Sequence, residues 1–281
     1  MSGIKPSFGV LLPTREAIMS ARSDPSSLLE LGARAEALGF DSVWVGDSLT
    51  ARPRIDALTT LAAVGARTRR IRLGTAIFLA ALRHPVLLAY QLASVDWITA
   101  GRIDFGVGYG RRNDPAGEHE FEILGLDAAA RIKMSEEAIQ IMRRLWREDH
   151  VSHAGRFTNF DDVSIQPKPV QAGGVPIWIA SNNVEPGLKR VARLGDAWIN
   201  NIKSPAVFAE CRQKIHAYAS ALGRDPHGIR AGIYFTLAAG GKEAVVFDLV
   251  GIALSLPAPF VFAFDAAGFD DGAPLGPEHD A

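Results

Sequence analysis

The chain has 281 residues, 48% of them hydrophobic and 22% charged, with a formal net charge of −1. That balance fits a globular protein with a sizeable core, and the near-neutral charge without a basic block argues against nucleic acid as a partner. The single cysteine, Cys211, excludes an intramolecular disulfide, and no run of about 18 apolar residues marks a membrane span. The opening MSGIKPSFGVLLP has neither the apolar run nor the cleavage site of a signal peptide, so the expectation is a cytoplasmic protein without a membrane partner.

Along the chain, short β-type runs alternate with longer segments of helical period. Residues 8–12 read as a strand. Residues 26–38 follow as a helix, with Leu28, Leu31, Ala35 and Leu38 on one face and Gly39 as its stop. Strand, helix, strand and helix follow at 42–45, 56–66, 71–77 and 86–98. A strand at 103–107 leads through a long polar loop to a helix at 129–146. Residues 150–174, rich in Gly, Pro and aromatics, interrupt the alternation as an excursion of turns with a short hairpin. Alternation resumes with strands at 176–180, 197–200 and 229–238 and helices at 185–194 and 205–222. A helix at 242–256 and an eighth strand at 259–264 complete the series, and 266–281 is an irregular tail.

Several strands are continuously apolar (VWV, IWI, IYF), the pattern of parallel strands buried on both faces. Eight of them in strict alternation predict one domain over 1–281: a TIM-type (β/α)8 barrel with an insertion at 150–174 and a shortened C-terminal end. Such barrels carry their sites just past the C-terminal ends of the strands. That rule selects Pro13 to Arg15, Gly46 to Ser48, Ala76 to Phe78, Gly108 to Arg112, Ser181 to Asn183, and Asn200 to Ile202.

Asp47 ends an apolar strand, where a carboxylate needs a partner. FGVGYGRR is no dinucleotide fingerprint, since Arg111 stands where the third glycine belongs. Gly106, Gly108 and Gly110 either let a flat ligand approach the backbone or merely shape a barrel corner. Ser181, Asn182 and Asn183 are good N-cap types before a helix whose first N–H groups suit an anion, though an ordinary capped helix would look the same. EHEFE, with His119, reads as solvated loop charge rather than a metal site, because no second histidine stands at helical spacing. His84 either faces substrate or caps nearby backbone. Cys211 shares a face with Phe208 and Ile215 and reads as packing.

Several blocks in order, ALGFDSVWVGDS, TRRIRLGTAIF, RHPVLLAYQLASVDWITAGRIDFGVGYGR, REDHVSHAGRFTNFDDVSIQPKPVQ, VPIWIASNN and ARLGDAWI, resemble the luciferase-like flavin-dependent oxidoreductases. The resemblance covers roughly residues 6–201 and fades beyond 241. It implies a (β/α)8 barrel whose mouth binds reduced FMN or the deazaflavin coenzyme F-420. It places the cofactor ring against a non-prolyl cis peptide, here Ala76–Ile77, with Gly108, Tyr109 and Gly110 along ring and ribityl chain. Ser181, Asn182 and Asn183 would take the phosphate. Asp47 is the candidate catalytic residue, and Arg15, Ser48, Phe78, His84, Arg111 and Trp198 are the candidate substrate-pocket residues.

This chain departs from the family pattern at Ser48, where many relatives carry a histidine. It departs again at Arg111, where the sugar-phosphate dehydrogenases among them carry a glutamate. The leading expectation is an FMN-dependent monooxygenase that uses O2 on a small organic substrate and is supplied by a separate flavin reductase. The alternatives are deazaflavin-dependent hydride transfer and a non-catalytic flavin-binding barrel. Homodimerisation is a further expectation carried by the resemblance.

Overall fold

A computed structural model describes residues 7–19, 26–111, 113–234 and 259–263. The strands, in chain order, are β1 (Ser7–Leu11), β2 (Ser42–Val45), β3 (Arg72–Thr75), β4 (Ile103–Val107), β5 (Val151–Ala154), β6 (Asn159–Val163), β7 (Ile177–Ala180), β8 (Ala197–Asn200), β9 (Arg230–Tyr234) and β10 (Pro259–Ala263). All except β5 and β6 join one closed parallel barrel. β10 pairs with β9 on one side and β1 on the other, so the shortened C-terminal end still closes the barrel. β5 and β6 form a separate antiparallel hairpin inside the predicted excursion. The predicted helix at 242–256 and the tail at 266–281 lie outside the described residues.

The helices are α1 (Thr14–Met19), α2 (Ser26–Ala37), α3 (Ala57–Arg67), α4 (Pro85–Ile98), α5 (Pro115–Ile123), α6 (Arg131–Arg147), α7 (Glu185–Leu194) and α8 (Pro205–Ala221). Local chemistry explains their starts. Asp56 caps α3 by accepting from the Thr59 N–H at 2.9 Å, and Ser204 caps α8. Prolines open α4, α5 and α8, where a missing N–H costs nothing. None of the helices among the described residues is long and apolar enough to cross a membrane.

Two details correct the sequence reading. In α2 the packing face is Leu28, Gly32 and Ala35, while Leu31 and Leu38 are exposed. Gly32 lets α3 approach so closely that an added Cβ would lie 2.4 Å from Val64 Cγ1. The stretch at 113–123 is not a solvated loop: it folds as α5, with Asp114 as its cap and Glu120 buried.

The period-two alternation of the strands sends their apolar side chains into two separate cores. Val43, Val45, Leu73, Phe105, Ile177, Ile179 and Trp198 point outward and pack with the helices in one large cluster. Trp44, Trp178, Ala197 and Ile199 form a smaller cluster inside the barrel. The two indoles meet edge to face at 5.4 Å. Trp44 fits because β3 passes it with a glycine: a Cβ on Gly74 would lie 2.2 Å from the indole.

Beneath this layer, at the N-terminal ends of the strands, Asp104 is fully buried. It accepts from Arg72 Nε, from Arg230 Nη2 at 3.0 Å and from Trp178 Nε1 at 2.9 Å. Arg72 also reaches Gln171, which bonds the buried Asp96. The barrel floor is thus a buried layer of tryptophan above a buried charge cluster.

Candidate active site at the barrel mouth

The mouth is built where β2 and β3 end. The peptide between Ala76 and Ile77 is cis, at the position the resemblance indicates. Both residues pack against the interior tryptophan cluster. The wall is continuous here, since Ala76 N–H donates to Val45 O and Asp47 N–H donates to Ile77 O. On the other side, Phe78 N–H donates to Gly106 O and Gly108 N–H to Phe78 O, carrying the contact to β4. The Ile77 side chain lies across Gly108, where an added Cβ would come within 1.6 Å of Cδ1. Ala76, Ile77 and Gly108 therefore form one surface.

Asp47 is held rather than presented. Its carboxylate takes a bidentate pair from Arg83, at 2.6 and 2.8 Å, and the Leu79 N–H at 3.0 Å. The side chain is 2% exposed. Burial pushes its carboxyl above the ordinary range, outweighing Arg83 and the Leu79 N–H, which pull it down. Its part in this structure is to fix the 79–83 turn after β3. Arg83 also lies 4.3 Å over the Phe78 ring, tying that turn to the outer core.

Ser48 is likewise engaged. Its Oγ donates to Glu120 Oε1 at 2.7 Å and accepts from Arg52 N–H. Glu120 also collects the N–H groups of Thr50 and Ala51. Burial raises the Glu120 carboxyl, but those donors win and leave it lowered. This buried acid shapes the loop after β2, a role the reading of EHEFE as surface charge missed.

The third segment lies between β7 and α7. Helix α7 starts from Val184, which offers no side-chain cap, so the predicted capping by Ser181, Asn182 or Asn183 is corrected. Asn182 Oδ1 accepts from the Asn201 N–H and Asn183 Oδ1 from the Cys211 thiol. Their amide nitrogens make no hydrogen bond among the described residues. Ser181 Oγ sits at the start of α7, 2.0 Å from where a Gly187 Cβ would be. The start of α7, without a side-chain cap, thus gathers the Ser181 hydroxyl, which donates to the Asn182 carbonyl at 3.1 Å, and the Asn182 and Asn183 side chains into a small polar cradle.

Tyr109 lies between this cradle and β4. Its ring carries the Arg190 guanidinium at 4.7 Å, and its hydroxyl is buried without a hydrogen-bond partner among the described residues. Burial drives the phenol pKa well up. Gly110, in the left-handed region at φ 72°, and Arg111 are exposed at the rim.

Three pocket candidates fall elsewhere. Trp198 points outward between β8 and α8, stacked on Phe208 at 5.0 Å and 1% exposed. Phe78 is likewise in the outer core, 5.3 Å from Phe105. His84 precedes α4 and borders an open groove of about 520 Å³ between α4 and the hairpin, with Tyr90, Phe160 and Val163. Strand alternation and the turn after β3 send these side chains away from the mouth. No cluster of three or more His, Cys, Asp or Glu stands ready for a metal ion among the described residues.

The mouth also holds Gly46 and Arg15, which the strand-end rule selects, and Arg54 and Tyr234, which it missed. Gly46 follows Ser42 and Trp44 on the inward face, and the Arg54 guanidinium occupies the space its side chain would take, 2.0 Å from the would-be Cβ. Tyr234 ends β9 against the interior cluster and feels the charge of Arg54. Arg15 and Glu16, at the start of α1, act on Arg54 as well. Nothing in ARPRID marks Arg54, but Arg83 was findable, because the buried Asp47 required a cation.

Comparison with known proteins agrees with this geometry. The monooxygenase RslO1 from Streptomyces bottropensis superposes with a TM-score of 0.72 at 24% identity, covering 92% of each chain. An F420-dependent glucose-6-phosphate dehydrogenase of Microbacterium testaceum is 32% identical over 204 residues, 68% of this chain and 57% of that protein. The oxygenase component of a flavin-dependent trigonelline monooxygenase from Acinetobacter baylyi is 30% identical over 160 residues, 56% of this chain and 43% of that protein. The aligned part thus spans only about half the length of these curated relatives. The sequence profile of the luciferase-like monooxygenases matches residues 7–272, so the chain belongs to the luciferase-like monooxygenase family.

Proposed function

We propose that this chain is an oxidoreductase whose barrel mouth holds FMN, and that it acts as a monooxygenase on a small organic substrate. The observation that carries the cofactor reading is the uncapped start of α7 facing Ser181, Asn182 and Asn183, beside the surface formed by Ala76, Ile77 and Gly108. Bound and reduced, such a cofactor supplies the electrons that activate O2. The protein's own share is binding, orientation and dryness. The α7 cradle fixes the phosphate end, and Ala76, Ile77 and Gly108 form the platform for the ring. Trp44 and Trp178, both fully buried, keep water from the floor below.

The end of β2 favours oxygen transfer over alcohol oxidation. Asp47 is committed to Arg83 and Ser48 to Glu120, so neither is placed to take a proton from a substrate hydroxyl. A second reading, hydride transfer with the deazaflavin, is supported by the relative from Microbacterium testaceum.

The test is a titration of the purified protein with FMN, riboflavin and the deazaflavin, followed by cofactor fluorescence. FMN should bind more tightly than riboflavin, which lacks the phosphate. Asn182→Asp, which places a negative charge in the cradle, should weaken FMN about tenfold and leave riboflavin alone. Exclusive binding of the deazaflavin overturns the monooxygenase reading, and equal binding of FMN and riboflavin overturns the cradle.

A further inference from the structure

Arg54 is unusual among the arginines near the mouth. Arg83 is paired with Asp47, and Arg52 with Asp114 at 3.0 Å. Arg54 donates Nε to the Arg52 carbonyl at 3.2 Å and has no ion pair among the described residues. It is not a solvated surface side chain: its guanidinium lies over Gly46, on the inward face of β2, and burial works against its charge. Its surroundings are mixed. Glu16 and Asp47 attract it, Arg15 and Arg52 repel it, and the Tyr234 hydroxyl is close enough to feel it. Asp47 is already held by two hydrogen bonds from Arg83, so it does not neutralise a second cation directly.

A partly desolvated guanidinium aimed into a binding mouth is a receptor for a planar anion, because its fork of N–H groups matches two carboxylate oxygens. We infer that Arg54, held over Gly46, forms an anion subsite in the barrel mouth, and that the substrate carries a carboxylate or a similar oxyanion. This rests on the reading of the mouth as the substrate site. It adds the substrate's chemical class and names Arg54 as the residue that selects it. Gly46 is part of the device, since any side chain there would displace the guanidinium. An anionic ring edge on a reduced cofactor has the same chemistry, so the experiment must separate the two.

The experiment uses benzoate and methylphosphonate as probes, with benzamide as the uncharged control, in calorimetry and ligand-observed NMR. Both cofactor-free and FMN-loaded protein are titrated. Wild-type protein should bind benzoate and not benzamide in both forms. Arg54→Gln should weaken benzoate about tenfold to a hundredfold, and Arg54→Lys less. Gly46→Ala keeps the charge but moves it, and should weaken benzoate without unfolding the chain, as circular dichroism will report.

Benzoate binding that is unchanged in Arg54→Gln, or absent from folded wild-type protein, overturns the inference. So does a variant that binds benzoate normally but lowers the reduction potential of the bound cofactor, which would assign Arg54 to the cofactor ring. If FMN fails to bind while the cofactor-free titration shows the Arg54 dependence, the cofactor reading falls and the anion subsite stands.

Discussion

The two ends of the barrel each bury a carboxylate beside arginine, and the two carboxylates respond in opposite directions. At the closed end, burial raises the Asp104 carboxyl, but Arg72, Arg230 and the Trp178 indole together more than reverse it and leave the pKa lowered. At the mouth, burial raises Asp47 and its one arginine with one backbone N–H does not overcome it. The difference lies in the number of donors around each acid, and it separates a part built for stability from one built around an opening. Three side-chain donors from three strands lock Asp104. Asp47 instead holds one turn in place after β3.

The largest effect should therefore come from the closed end. Asp104→Asn leaves Arg72 and Arg230 facing a neutral amide and should cost about 3 kcal/mol, measured by urea unfolding at neutral pH. A loss below about 1 kcal/mol would mean that the cluster is not the anchor described here. Next in size is Gly74→Ala, whose methyl would meet the rigid Trp44 indole and should cost about 2 kcal/mol by overpacking. Gly46→Ala is the matched change at the mouth. There the obstacle is the flexible end of Arg54, so the stability loss should stay below about 1 kcal/mol. Equal losses for the two glycines would erase the contrast between a packed floor and an adjustable mouth.

How far this contrast was legible in the sequence depends on the kind of signal. The barrel, its strands and the outward core were readable because continuous apolar runs such as IWI and glycine stops are local. The eighth strand was found, but its closure needed the register of β10 with β1. The cradle segment was found from residue type, yet its cap was misassigned, since the side chains of Asn182 and Asn183 turn to Asn201 and Cys211. Trp198, a candidate for the pocket, obeys the parity of its strand instead. The neighbours at 197 and 199 point in, so 198 points out. Arg54 and Glu120 carry no local signature, because each meets its partner segment only after the loops past β2 and β4 have folded.

Asp47→Asn carries a smaller effect, but one that tests the comparison by sign. At neutral pH it should cost about 1 kcal/mol, less than Asp104→Asn, because the ionised acid it replaces is already penalised by burial. For Asp104 the folded pKa lies below the unfolded value of about 3.9, so its contribution is present above that value and is lost as pH falls through the folded pKa. The Asp104→Asn deficit should then shrink below about pH 4. For Asp47 the folded pKa lies above the unfolded one, so its contribution is present below about 3.9 and is lost as pH rises through the folded pKa. The Asp47→Asn deficit should widen as pH is lowered from 7 toward 4. Urea titrations of both variants and wild type over this range decide it: deficits that move the same way would show that the two ends are not electrostatically opposed.

The smallest expected effect lies beside the cradle, and it separates packing from ligand binding at one atom. Tyr109 buries a hydroxyl that has no hydrogen-bond partner among the described residues, so its desolvation is uncompensated there. Tyr109→Phe removes it while keeping the ring under Arg190, so the cofactor-free protein should gain about 0.5–1 kcal/mol in urea unfolding. If the hydroxyl serves the bound cofactor, the same variant should bind FMN more weakly. A variant that is both more stable and equally good at binding would make the buried hydroxyl a packing fault rather than a contact. A variant that is less stable would show that the hydroxyl has a partner within the fold, which would remove it from the site.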